Sequence, residues 1–346
     1  MPPAKMDNNY SSTPPAITPA SREGDRNYTP PTFPIGPFTK YAHNPLLVPN
    51  PKNDFESAYI YNAAAIVLDD TVFLLYRAQN AAKVSTIGLA WSSDGYRFTR
   101  LDRPVLEPSE PWEAGGGVED PRVVRIDGLF YMTYTAWDLQ IPRLCLATST
   151  DLVHWDKRGP PLFPDFEDVE STPQGRTQIR HGHSKSGAIF PERNADGKYI
   201  MIFGDSFLCV AESDDLINWR ARPFNQHFAT GVHPWENRLL EPGPTPIKTR
   251  DGRWILVYNV ATSGAPGYRE EQYSISQMLI DLDHLTEGPL ARLERPCLVV
   301  SAQNERVGLV NNVVFCEGMV QFRGRWFLYY GQGDSELGVA TADVQK

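Results

Sequence analysis

Gly117-Val118-Glu119-Asp120-Pro121-Arg122 is followed by an apolar strand, a turn holding Asp127-Gly128, and an aromatic return strand that ends at Ala136. The same grammar recurs in four other stretches, with a different polar residue at the equivalent place each time. The five units are Asn62 to Arg77, Asp120 to Ala136, Ser186 to Asp205, Gly243 to Asn259, and Asn312 to Gly331. Repeats with a period of roughly 40 to 70 residues suit propeller blades, and five units predict five blades. Most units carry a second half-repeat in which Ala-x-Ser precedes an Asp and then an aromatic residue. Asp94 is followed by Phe98, Asp151 by Trp155 and Asp215 by Trp219. An Asp that caps a turn through the backbone, followed by a ring that fills the wedge between blades, suits the outer hairpin of a four-stranded blade. The last unit is compressed but keeps Gly338-Val339-Ala340-Thr341-Ala342.

Working outward, 346 residues suit one closed all-β domain as well as two smaller ones, and the repeats favour one. Helical periodicity is nearly absent, while runs of Val, Ile, Tyr, Phe and Trp are punctuated by Gly, Pro and Asp. The expected architecture is an all-β, five-bladed β-propeller over residues 41–346, preceded by an N-terminal extended arm over 1–40. The arm reads as flexible, or, through Phe33 and Phe38, as a strap along the propeller. A net charge of -9 argues against nucleic acid as a partner. No apolar run in the arm is long enough for a secretory core or a membrane span. Cys145, Cys209, Cys297 and Cys316 lack metal spacing and read as free thiols, so a cytoplasmic setting is expected.

The inner strand of each blade lines the axial channel, so polar residues near its ends converge although they are distant in sequence. They are Asn62 and Arg77; Glu119, Asp120 and Arg122; His183 and Lys185; Glu241 and Asn259; and Asn311, Asn312, Glu317, Asp334 and Tyr330. Carboxylates and cations around one pocket, with Trp112, Trp137, Trp235 and Tyr268 in loops, make the composition of a sugar site. Glycosidic cleavage needs an acid for the departing oxygen and an acceptor delivered to the anomeric carbon, and two carboxylates do both when the acceptor is water. Asp120 is the expected acid. No metal is expected, because His181 and His183 share a strand face without an evident third ligand. Gly115-Gly116-Gly117 is no phosphate cradle, since no helix is predicted after it.

In Tyr76-Arg77-Ala78, Gly117 to Arg122, Lys185-Ser186-Gly187-Ala188-Ile189-Phe190, Glu241-Pro242-Gly243-Pro244 and Tyr329-Tyr330-Gly331-Gln332-Gly333-Asp334-Ser335, the chain resembles glycoside hydrolase family 130. These are propellers that act on β-mannosides as phosphorylases or hydrolases, and the resemblance covers about residues 40–346. It implies that Asp120 is the general acid, passing its proton through a mannose hydroxyl with inversion. Asp334 and Asn62 would hold the sugar, and Arg77 and Lys185 stand where phosphorylases gather phosphate. Glu119, Asn259, Asn312 and Glu317 complete the expected substrate contacts. Phosphorylases typically carry a glycine-rich approach to the fourth blade and Tyr-His-Gly after it; here Leu240-Glu241-Pro242-Gly243-Pro244 and Tyr258-Asn259-Val260 stand instead.

A Glu near the acceptor position repels phosphate; at about 4 Å and an effective dielectric of 20, two unit charges interact by roughly 4 kcal/mol. Glu241 is therefore the expected base for water; the pattern resembles most the family's β-1,2-mannosidase-like hydrolytic branch, which implies exo-acting hydrolysis of β-1,2-linked mannosides, without a cofactor. Phosphorolysis with inorganic phosphate as co-substrate is the alternative, and a non-catalytic glycan-binding propeller a further one. Other five-bladed glycosidases place an essential Asp on the first inner strand, where this chain reads Tyr61-Asn62-Ala63-Ala64. The segments Asp165 to Gly182 and Gly264 to Gln272 either rim the aglycone side through Arg176, Arg180, Tyr268 and Arg269 or are solvated loops. A homo-oligomer that shares this rim is compatible with the sequence.

Overall fold

The computed structural model describes residues 9–171 and 177–345 and is a five-bladed β-propeller. Blade one is Tyr59–Leu68, Thr71–Gln79, Ser85–Ser92 and Thr99–Leu101; blade two is Gly117–Ile126, Leu129–Trp137, Pro142–Ser149 and Asp156–Lys157. Blade three is Ala188–Ile189, Tyr199–Phe203, Cys209–Ser213 and Trp219–Ala221. Blade four has a split inner strand, Leu239–Pro242 and Ile247–Lys248, then Trp254–Ala261 and Tyr273–Ile280, with Ala291–Arg292 and Leu298–Val299 at its edge. Blade five is Val314–Phe322, Arg325–Gln332 and Glu336–Asp343, and its outer strand is Thr39–Lys40, paired antiparallel to Thr341 and Ala340. The N-terminal segment thus completes the blade that looked compressed in sequence. No helix among the described residues is long and apolar enough to cross a membrane.

Alternation along each strand builds the ring. In blade one, Ala64, Ile66 and Leu68 pack towards blade two, while Ile60, Ala63 and Val67 pack towards blade five. Such a strand is buried on both faces, so it reads as a nearly continuous apolar run with a hidden period of two. Five apolar clusters result, one between each pair of neighbouring blades. Gly117, at φ +101°, lies where blades one and two touch, and a Cβ there would stand 2.1 Å from the Ser85 carbonyl oxygen. Only glycine meets both demands.

The outer turns repeat as expected. Ser92 Oγ accepts the amides of Asp94 and Gly95 at 3.1 and 2.8 Å, and Asp94 Oδ1 those of Tyr96 and Arg97 at 2.8 Å each. Ser149 with Asp151, and Ser213 with Asp215, reproduce the pattern. The arm is a strap over its described residues. Gly24 N donates to Val67 O at 2.9 Å, Arg125 Nη1 to Ser21 O at 2.6 Å, and Gly324 N to Asp25 Oδ2 at 3.0 Å. These contacts lie at the turns that end the inner strands, opposite the end where Asn62 and Asp120 begin them.

Candidate active site

The inner strands of blades one, two and five each carry a bulge near the start, at Asn62, at Asp120-Pro121 and at Glu317. Asn62, Asp120 and, in blade three, Ser186 take left-handed backbone angles, with φ of 46°, 53° and 59°. Bulges re-aim a side chain, and Asn and Asp tolerate this region better than most residues. In blade five the bulge falls at Glu317 and not at Asn312, which corrects the repeat start read from sequence. Asn312 has φ 60°, its carbonyl accepts the Tyr273 amide at 2.8 Å, and its buried Oδ1 has no partner.

The carboxylate of Asp120 accepts at Oδ1 from Asn62 Nδ2 and Arg77 Nη1, both at 3.0 Å, leaving Oδ2 without a donor among the described residues. Arg77 also pairs with Glu119, stacks over the Tyr61 ring at 4.7 Å, and donates from Nε to Ser85 Oγ. Ser85 Oγ in turn donates to Glu119 at 3.0 Å. Glu241 accepts at Oε1 from Ser186 Oγ and stands 3.4 Å from Lys185 Nζ; its Oε2 has no donor among the described residues. Arg122 lies 3.4 Å from Glu317 and 3.8 Å from Glu241.

The expected residues therefore form two tiers. Arg77, Glu119, Asp120 and Lys185 keep some side-chain exposure, whereas Glu241 and Glu317 lie almost wholly beneath them. Asn259 is corrected from a sugar contact to a tie between blades: its Nδ2 donates to Cys316 O at 2.9 Å and its Oδ1 accepts the Cys316 amide at 2.7 Å. Tyr330 leaves the site altogether, donating to Glu305 at 2.9 Å. Trp112 and Trp235 pack into the clusters between blades, so they are not sugar platforms. Tyr268 packs on the blade three–four cluster, Arg269 is exposed, and Arg176 lies outside the described residues.

The electrostatics separate these acids. Burial raises the Asp120 carboxyl, but Arg77, Lys185, Asn62 and Arg122 outweigh it and hold the group below the usual range. Adjacent Glu119 is pushed up by burial, with the Asp120 charge adding to it. Two neighbouring carboxyls around one guanidinium do not ionise independently, and the pair is separated in this way. Burial also raises Glu241 and takes Glu317 well above the carboxylate range. Asp334, at φ 51°, is pushed up to about 7 by burial, with Asp120 and Glu241 adding to it against Arg77 and Lys185.

One network escaped the sequence. Arg180 pairs with Asp168 and, at 2.5 Å, with Asp205, whose Oδ2 lies 3.2 Å from His183 Nε2. Asp168, His183 and Asp205 are close enough to offer three ligands, correcting the expectation that His183 has no third ligand nearby. The guanidinium of Arg180 already supplies the positive charge there, so the donor set does not fit a cation. Asp205 stands two residues past the second strand of its blade, as Asp334 does in the last, and that correspondence was the available signal.

A family profile described as beta-1,4-mannooligosaccharide phosphorylase matches residues 37–346. The chain is 32% identical over 320 residues to the 1,2-beta-oligomannan phosphorylase of Thermoanaerobacter sp. (strain X514), covering 88% of this chain and 97% of that one. It is 31% identical over 325 residues to the beta-1,2-mannobiose phosphorylase of the same organism, covering 89% and 98%. A solved structure described as showing that the GH130 family of mannoside phosphorylases contains glycoside hydrolases that target beta-1,2 mannosidic linkages in Candida mannan is 30% identical. It covers 94% of this chain and 99% of its own, with a TM-score of 0.79.

Proposed function

The chain belongs to glycoside hydrolase family 130, a family of enzymes acting on mannosides, and from that membership we propose that it hydrolyses β-1,2-linked mannosides from the chain end with inversion. Asp120 supplies the proton to the departing oxygen, through a hydroxyl of the bound sugar as the family resemblance implies. Its Oδ2, the oxygen not taken by Asn62 and Arg77, is the one available for that transfer. Glu241 Oε2 takes the proton of the attacking water, and Asp334 and Asn62 hold sugar hydroxyls. Asp120 is held below the usual carboxylate range and Glu119 above it, so work as an acid requires sugar binding to reverse that order by lifting Asp120.

The observation that carries hydrolysis is the pairing of the cations. Lys185 stands against Glu241 at 3.4 Å, Arg77 is shared by Glu119 and Asp120, and Arg180 by Asp168 and Asp205. A phosphate dianion entering here would compete with built-in carboxylates and meet their repulsion. A second reading, phosphorolysis with inorganic phosphate as co-substrate, is favoured by the names of the two Thermoanaerobacter relatives and by the presence of Arg77 and Lys185.

Product analysis of β-1,2- and β-1,4-mannobiose, with and without inorganic phosphate, separates the two. Free mannose at a phosphate-independent rate from the β-1,2 substrate is the expected result, and Asp120→Asn should remove most of that turnover while still binding the disaccharide. Mannose 1-phosphate would replace hydrolysis by phosphorolysis. Binding without either product, unchanged by Asp120→Asn, would leave a glycan-binding propeller.

A further inference from the structure

Arg122 stands two residues after Asp120 on the same inner strand, and its side chain is 2% exposed. Every short bond its guanidinium makes is to a backbone carbonyl. Nη1 donates to Asp120 O at 3.1 Å; Nε donates to Gly243 O at 3.0 Å and Pro242 O at 3.2 Å; Nη2 donates to Pro242 O at 2.7 Å. Blades two and four are not neighbours in the ring, so these bonds cross the axis. One other contact helps them, Thr245 Oγ1 donating to Val123 O at 2.9 Å. From blade five, Glu317 faces the fork at 3.4 Å, and both of its oxygens are buried without a hydrogen bond.

The residues Arg122 joins are those flanking the proposed acid and base. Asp120 is tied through its own carbonyl, and Glu241 immediately precedes the two tied carbonyls of blade four. Apart from the single pairing of Ser85 with Gly117, no strand ladder runs between blades among the described residues. Packing between neighbouring blades is largely apolar with local polar ties such as Asn259 to the Cys316 backbone, whereas the planar Arg122 fork directs several donors across the axis between two blades that are not neighbours. Because the fork uses its donors on carbonyls, it makes no hydrogen bond of its own to the Glu241 carboxylate while lying close enough to balance its charge.

We propose that Arg122 is the positioning residue that sets the reach between Asp120 on blade two and Glu241 on blade four, with Glu317 steadying its fork from blade five. The proposal rests on the assignment of Asp120 and Glu241 as a working pair. Lysine keeps the charge but offers its donors from one point, so it cannot span Asp120 O and the Pro242–Gly243 carbonyls together.

The test compares wild type with Arg122→Lys, Glu317→Leu and Glu317→Gln, by steady-state kinetics on β-1,2-mannobiose and by amide hydrogen exchange of intact protein. For Arg122→Lys the expected result is a fall in kcat of about 100-fold with KM unchanged, the usual effect of a small misplacement of reacting groups. Its pH profile should keep the wild-type limbs, since the cation beside Glu241 and Glu317 remains. Exchange should accelerate in peptides spanning 118–124 and 239–244 and nowhere else. Glu317→Leu removes no hydrogen bond, so it tests the fork even if Arg122→Lys fails to fold; kcat should fall with KM unchanged, and Glu317→Gln, which keeps the side chain's shape beside the fork, should lose less. Wild-type kcat and exchange in Arg122→Lys, or in Glu317→Leu where the lysine variant does not fold, would overturn the proposal. If wild type turns over mannobiose and Asp120→Asn does not, that failure touches Arg122 alone. If wild type is inactive on mannobiose yet exchange accelerates as described, the functional reading fails, and with it the role of setting the reach of an acid–base pair, while the cross-axis tie of blades two and four by Arg122 stands.

Discussion

Asp334 shows how the pocket treats a carboxyl. Burial, together with the Asp120 and Glu241 charges, lifts it to about 7, although Arg77 and Lys185 oppose the shift. An acceptor for sugar hydroxyls works as the carboxylate, so kcat/KM on β-1,2-mannobiose is expected to rise with pH through about 7; a flat profile from pH 5 to 8 would remove Asp334 from that role. Stability runs the other way. The folded protein binds this proton more tightly than the unfolded chain, whose Asp titrates near 3.9. The contribution is full below about pH 4 and is lost as pH rises through about 7. Asp334→Asn removes that loss, so thermal melts should show the variant gaining on wild type between pH 5 and pH 8.

Four of the five blades share a device at the level of elements. A buried Glu in the turn before the inner strand accepts from a Tyr on the second strand and from a cation on the outer strand. Glu56 takes Tyr76 and Arg100 at 2.9 and 3.2 Å, and Glu113 takes Tyr134 and Lys157 at 2.9 and 2.5 Å. Glu236 takes Tyr258 and Arg292 at 3.0 and 3.1 Å, and Glu305 takes Tyr330 and Lys40 at 2.9 and 2.6 Å. Each clasp binds a blade from its entrance to its rim. Blade three, which carries Lys185 and Ser186, has none among the described residues; the Arg180 network occupies its entrance. Tyr134→Phe, losing one bond to a charged group, should cost about 1.5–3 kcal/mol in denaturant unfolding. Glu113→Ala, stranding Lys157 and two turn amides, should cost about 3–5 kcal/mol; equal effects would mean the cation contributes nothing. Pro-Trp-Glu occurs twice, at 111–113 and 234–236, so the clasp was half legible in sequence, but Asp54-Phe55-Glu56 and the helix Gln303–Arg306 hide the other two copies.

Closure belongs to the whole molecule. The strand Thr39–Lys40 completes blade five, and Lys40 supplies its clasp, so a segment that precedes blade one in sequence and the last strand Glu336–Asp343 meet in one blade. Removing one partner of a buried pair is costly, and Lys40→Met should lower stability by about 3 kcal/mol or more. Arg22→Ala, which breaks the exposed strap pair with Asp70, should change it by less than about 1 kcal/mol. Comparable shifts in the two melts would show that the seam in blade five is not a principal determinant of stability.

The number of blades, the outer turns and most polar residues of the pocket were readable because they depend on local rules: period-two burial, Ser-x-Asp turn chemistry, and the ends of inner strands facing an axis. The start of the fifth repeat was misread because a bulge at Glu317 shifts the register without leaving a mark in composition. The tiers of the site were not readable at all. Whether Asn259 meets a sugar or the Cys316 backbone, whether Glu241 lies in front of Lys185 or beneath it, and that Arg122 reaches Pro242 across the axis are distances between residues as much as 121 positions apart. Such distances follow from the closure of the ring, and no local rule carries them.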